Sequence, residues 1–142
     1  MTKRLVLLCA LVVFIAGCSG SAGPRRYAKD PRILPLIDII ESAGGDWVQY
    51  ADALRRLWHR GRVYVCDWVP GDRHAWATWS AWGAIDSISI DREFLGNERY
   101  SDIDKAAVLV VESCHTHKHK IKFCHGLQDE FYRVVHAGGD SG

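Results

Sequence analysis

The stretch that most constrains the fold runs from Ile103 to His119, where an apolar segment of helical length leads without a breaker into a glutamate and three histidines. At about 100° per residue, Glu112, His115 and His119 fall within roughly one 60° sector of a helix. The apolar residues share the opposite face: Ile103, Ala106, Ala107, Val110, Val111 and Cys114. The pattern predicts a helix that packs on one side and presents a carboxylate and two imidazoles on the other.

The histidine spacing indicates metal binding. His115 and His119 have the i, i+4 separation with which a helix delivers two nitrogens to one ion. His117 and His125 complete a group that places four of the seven histidines within residues 115–125. Imidazole, together with thiolate from Cys114 or Cys124, suits zinc, copper or nickel.

The segment Val111-Glu112-Ser113-Cys114-His115 resembles the active helix of the zincin metallopeptidases, whose H-E-x-x-H motif supplies two zinc ligands and a general base. The resemblance continues upstream at residues 83–91, which look like the strand beside such a site, and downstream at residues 128–133, which are similar to the following helix. It implies Glu112 as the catalytic base, His115 as a zinc ligand and Glu130 as the third ligand.

The chain departs from that motif at Val111, where the first histidine belongs. Catalytic zinc normally keeps three protein ligands and one open position. An ion here would have to use His115 with His119, or His115 with Glu130 and a further donor. We therefore expect a degenerate zincin-like domain that is not a conventional protease. An active zinc peptidase with Glu112 as base, and a structural or interaction protein that holds a peptide or protein without metal, are the alternatives.

The N-terminus indicates export and a lipid anchor. A basic start, Lys3-Arg4, precedes an apolar run from Leu5 to Phe14 of signal-peptide length. Ile15-Ala16-Gly17-Cys18 resembles a bacterial lipobox, so we expect residues 1–17 to be removed and Cys18 to carry lipid in the bacterial cell envelope. Because serine follows the cysteine, the resemblance favours the outer membrane in a cell that has one.

The charge balance argues against a nucleic-acid partner. Without Lys3 and Arg4 the 18 basic residues become 16, against 17 acidic residues. No basic stripe of the kind that contacts phosphates is present.

Cysteine usage points to one disulfide bond. Cys9 lies in the leader and Cys18 would bear lipid, which leaves Cys66, Cys114 and Cys124 in an oxidising compartment. We predict a Cys114–Cys124 bond, because it would tie the end of the histidine helix to the loop after it. Pairing of Cys66 with either, or three reduced thiols or metal ligands, are alternatives.

The rest of the chain predicts a single α+β domain at residues 31–136, between a flexible tether at 18–30 and a disordered tail at 137–142. Two N-terminal helices, a short antiparallel sheet of about three strands, the histidine helix and a short last helix make up this zincin-like layout. The expected elements are helices at 33–43 and from residue 47 to Gly61, a strand at 62–69 paired with 74–82, a strand at 84–91, a loop at 92–100, a helix cap at Ser101 or Asp102, a break at Gly126 and a helix at 127–135.

Overall fold

A computed structural model describes residues 25–69, 71, 73–79, 85–117 and 120–139 of the chain. Within this part, five helices accompany four strands, and the predicted α+β class is confirmed. The elements are β1 (Arg26–Ala28), α1 (Ile33–Ser42), α2 (Trp47–His59), β2 (Val63–Cys66), β3 (Ala75–Trp79), β4 (Ile85–Asp91), α3 (Arg92–Gly96), α4 (Asp102–His115) and α5 (Ile121–Gly139). None of these helices combines the length and the apolar character needed to cross a bilayer.

The strands form one mixed sheet in the order β1-β2-β4-β3, with β2 and β4 parallel and each edge strand antiparallel to its neighbour. The expected all-antiparallel sheet, with β2 paired to β3, is therefore wrong. The connection from Asp67 to His74 is longer than a usual hairpin loop. The strand β4 lies between β2 and β3, and it packs Ile88 and Ile90 beside Val63 and Val65 of β2.

The strand β1 lies inside the segment predicted to be a tether. Tyr27 pairs with Val65 in the antiparallel register, so the main chain of β1 completes the sheet edge. Every residue of β1 is exposed, and an exposed strand carries no hydrophobic alternation from which it could be predicted. The folded part of the chain thus begins before Pro31.

The helix α4 is the centre of the domain, in contact with α1, α2, α5 and β3. Leu109 and Val110 are fully enclosed in the core. The buried Ser113 hydroxyl donates a 2.9 Å hydrogen bond to the Tyr50 carbonyl on α2. Because a buried hydroxyl needs such a partner, this bond fixes how α4 sits on α2.

Both ends of α4 are defined by hydrogen bonds. Ser101 is the N-cap, and it forms a capping box in which its side chain accepts from the Asp104 N–H while the Asp104 carboxylate accepts from the Ser101 N–H. At the other end the Ser113 carbonyl accepts from the Thr116 N–H at 2.9 Å and from the Thr116 hydroxyl at 2.6 Å. These i to i+3 contacts replace the α-helical pattern and end the helix at His115.

Two further elements differ from expectation. Residues 92–96, predicted to be loop, form α3, because the Asp91 carboxylate caps the turn by accepting from the Glu93 N–H at 3.0 Å and Phe94 enters the core. The last helix does not start after Gly126 but at Ile121, and it runs through residues 137–139 of the predicted tail. Gly126 lies on the exposed side of α5, and its cost of about 1 kcal/mol is offset by the packing of the helix on α4.

Candidate functional site

A pocket of about 690 Å³ lies where β3 and the segment before it meet α4 and α5. One wall is main chain and side chain of residues 73–77, and the second is the outward face of α4. The third wall comes from one face of α5. The lining side chains with chemical function are Arg73, His74, Glu112, His115, His125 and Gln128, and the apolar ones include Trp76, Val108, Val111 and Ile121.

Glu112 is the acidic group of the pocket. It projects from α4 toward β3, where the Ala77 backbone N–H donates a hydrogen bond to its carboxylate. Burial raises the pKa of the Glu112 carboxyl to about 7, although the Ala77 N–H and the nearby Arg73 guanidinium both act to lower it. Near neutral pH this carboxyl can therefore hold or release a proton within the pocket.

Arg73 provides the positive charge at the mouth of the pocket. Its guanidinium carbon lies 4.6 Å from the centre of the Trp76 ring, a cation–π arrangement that holds an exposed side chain in place. Sequence reasoning missed this residue, because it precedes β3 and only the sheet order brings it to Glu112.

His115 and His125 face each other across the pocket from α4 and α5, with ring centres 6.3 Å apart and ring planes at 69°. Burial, and to a smaller extent the charge of His125, lower the pKa of the His115 imidazole. The two rings thus form an imidazole pair in which His115 favours its neutral form.

The predicted Cys114–Cys124 disulfide is confirmed, with Cα atoms 5.5 Å apart. Both cysteines are fully buried, and each immediately precedes one histidine of the pair. The bond therefore holds the neighbours His115 and His125 at the same level of the two helices. Cys66 is a buried free thiol, so its pairing with either of the others is excluded.

Of the other two predicted metal ligands, His119 lies outside the described residues, four positions beyond the end of α4 at His115. Glu130 is exposed and does not line the pocket. At about 100° per residue it projects from the side of α5 opposite to Ile121 and His125, and its charge acts instead on Tyr50.

His117, the remaining histidine of the predicted cluster, contacts Tyr50 on α2. Its ring packs edge-on against Tyr50 with centres 5.2 Å apart, and its Nδ1 lies 2.9 Å from the Thr116 hydroxyl oxygen. His117 is therefore in contact with Tyr50 and Thr116 and is not among the residues that line the pocket.

Val111 lines the pocket at the position that the first zincin histidine would take, and only 7% of its surface is exposed. Across the described ranges, no three His, Cys, Asp or Glu residues are arranged to hold an ion. The described donors therefore form no three-ligand set of the kind that holds a catalytic zinc. The pocket offers the imidazole pair of His115 and His125, and its lining also includes the His74 ring and the Glu112 carboxyl group.

Comparison with known proteins returned no counterpart. No family model, no curated protein and no solved structure matches this chain.

Proposed function

We propose that the mature protein is an exported, lipid-anchored domain whose pocket binds a transition-metal ion through His115 and His125 and does not act as a conventional peptidase. The observation that carries the proposal is the imidazole pair, 6.3 Å between ring centres, on two helices joined by a disulfide one residue away. Its zincin-like ancestry rests on the resemblance around Glu112.

The separation of the rings supports a shared ion. An ion bonded to one nitrogen of each ring at about 2 Å would hold the ring centres roughly 5 to 6 Å apart. The observed separation of 6.3 Å is close to that span. Imidazole nitrogens suit zinc, copper and nickel, and the pocket leaves the other coordination positions to water or to a bound ligand.

The N-terminal sequence supports the proposed export and lipid anchoring. A basic start, a short apolar run and the lipobox-like Ile15-Ala16-Gly17-Cys18 favour export, cleavage and lipid attachment at Cys18. Mass spectrometry of the mature N-terminus tests this directly, since the proposal requires a lipid-modified Cys18 as the first residue.

The metal proposal is tested on the detergent-solubilised mature protein. We expect titration with zinc in a calorimeter to give one ion per chain, and His115→Ala or His125→Ala to abolish that stoichiometric binding. His59→Ala, which removes an exposed histidine at the end of α2, is the matched control and should bind like the parent. If the parent binds no zinc, copper or nickel, the protein is a metal-free binding or structural lipoprotein.

A second candidate is a peptidase that uses Glu112 as general base. The observation that favours it is the position of Glu112 in the pocket beside the edge strand β3, along which an extended peptide could add as a further strand. Peptide hydrolysis by the mature protein that is lost in Glu112→Gln supports this candidate, whereas equal background rates in both proteins refute it.

A further inference from the structure

The edge of the sheet farthest from the pocket carries exposed arginines and aromatic rings. We define the β1 surface by Arg25, Arg26, Tyr27, Lys29, Trp68 and Arg92, all of which are exposed. Trp68 is 55% exposed and Tyr27 is 42% exposed, so both rings present apolar surface to solvent at this edge.

Two arginines of the β1 surface lie over tyrosine rings, one on each face of the sheet edge. The Arg92 guanidinium lies 4.4 Å from the centre of the Tyr27 ring, and that of Arg26 lies 5.7 Å from the centre of the Tyr64 ring. The Asp67 N–H donates to the Arg25 carbonyl at 3.3 Å, which places the chain that leads into Trp68 beside the start of β1. Arginine beside tyrosine or tryptophan is the combination found at membrane interfaces.

The charge of this edge is positive. Residues 25–32 contain four cationic side chains and a single acid, Asp30. Asp30 is already engaged by Arg32 at 2.8 Å, and Asp67 by Arg92 at 3.2 Å. A surplus of three positive charges in residues 25–32 therefore faces outward, although the mature chain as a whole is close to neutral.

The position of this edge along the chain identifies what it meets. Arg25 is seven residues after Cys18. Seven residues span at most about 25 Å, so a lipid on Cys18 keeps β1 within that distance of the bilayer. A positive, aromatic surface so close to an anionic leaflet is attracted over a short range that salt screens only partly.

We propose that the β1 surface docks on the anionic lipid leaflet that holds Cys18. This inference rests on the lipid anchor proposed above. Because β1 and β3 are opposite edges of a four-stranded sheet, docking places the pocket about 14 Å from the docked edge, facing away from the membrane. The membrane thus orients the domain so that the pair formed by His115 and His125 is open to the extracytoplasmic compartment.

The test uses the mature lipidated protein in vesicles of phosphatidylcholine with or without about 30 mol% phosphatidylglycerol, containing a nitroxide-labelled lipid that quenches tryptophan on contact. We expect tryptophan fluorescence to be quenched only in the vesicles that contain the anionic lipid. The quenching should disappear in Trp68→Phe, because Trp68 is the ring that contacts the lipid. Raising the salt to about 0.5 M should remove the quenching, because the screening length falls to about 4 Å.

Charge variants make the test specific. The double variant Arg25→Gln, Arg26→Gln should lower the docking constant by roughly 25-fold, about fivefold for each charge. The matched control Lys122→Gln, Arg133→Gln removes two exposed charges from α5 and should dock like the parent.

Equal quenching in both kinds of vesicle, no quenching in either, or an equal loss in the control variant would overturn the docking proposal. Mass spectrometry of the same preparation separates this failure from failure of the anchor. If the protein is lipidated and does not dock, only the docking of the β1 surface is refuted. If the protein carries no lipid, the proposed lipid anchor is refuted.

Discussion

The buried carboxyl of Glu112 makes the stability of the domain depend on pH in a direction that can be calculated. Burial raises its pKa to about 7 in the folded chain, from an ordinary value of 4.5. A raised pKa means that the folded state binds the proton more tightly than the unfolded chain. The contribution is therefore fully present below pH 4.5 and is lost as the pH rises through 7.

The magnitude follows from the two pKa values. Their difference corresponds to a ceiling of about 3 kcal/mol in the free energy of unfolding, of which about 2 to 3 kcal/mol is lost between pH 5 and pH 8. His115 acts in the opposite sense, because its pKa is lowered in the folded state and its contribution grows as the pH rises toward 6.5. The dependence of the parent's free energy of unfolding on pH therefore contains the contributions of both Glu112 and His115.

The substitution Glu112→Gln isolates the carboxyl. Its amide oxygen can still accept from the Ala77 N–H, but the side chain no longer titrates. The free energy of unfolding, measured with urea in the presence of a metal chelator, should fall less with pH in the variant than in the parent. Between pH 5 and pH 8 we expect the difference between the two proteins to change by about 2 to 3 kcal/mol in favour of the variant. Glu130→Gln, which removes an exposed carboxylate from α5, should leave the parent's slope unchanged. Parallel curves for Glu112→Gln and the parent would refute the raised pKa of Glu112 in the folded chain.

Three more results are expected. Reduction of Cys114–Cys124 should lower the free energy of unfolding by about 2 to 3 kcal/mol, as for a loop of this length, and weaken zinc binding in the same titration. Ser101→Ala should cost about 1 kcal/mol in urea unfolding, because the capping box on Asp104 is lost. Val111→His adds an imidazole beside the pair formed by His115 and His125, so zinc competition with a chelator should show tighter binding; unchanged affinity would mean that position 111 does not face the ion.

The helices that bury a regular apolar face could be predicted from the sequence. In α1 the core residues Leu36, Ile37 and Ile40 repeat at helical spacing, and the structure gives that helix the predicted start. The same reasoning located the body of α4 and named Ser101 as a candidate cap. In each case the stabilising contact depends on local spacing, which the sequence contains.

The sheet could be predicted only in part, because pairing depends on long-range competition. The strand character of β2, β3 and β4 follows from composition, but the choice of β4 as the neighbour of β2 depends on which strand buries more apolar surface. The strand β1 had no signal at all, since its exposed residues are ordered by main-chain hydrogen bonds.

The candidate site residues that lie on one helix could be predicted from the sequence. Those that different elements bring together could not. Glu112 and His115 line the same pocket, as expected of residues three apart on α4. The end of α4 could not be predicted, because no glycine or proline marks it and the Thr116 hydroxyl competes for the Ser113 carbonyl instead. Glu130 was chosen from a resemblance, whereas the spacing of Ile121 and His125 shows which side of α5 faces the pocket.

The repeated dipeptide Cys-His is the signal that connects the core with the pocket. Cys114 and Cys124 are turned fully inward, and adjacent residues of a helix point about 100° apart. Once the disulfide joins the two inward positions, His115 and His125 must emerge on the same flank, where the pocket opens. The geometry of the imidazole pair is thus a consequence of core packing, so a change that loosens α5 from α4 should separate the rings even when both histidines remain.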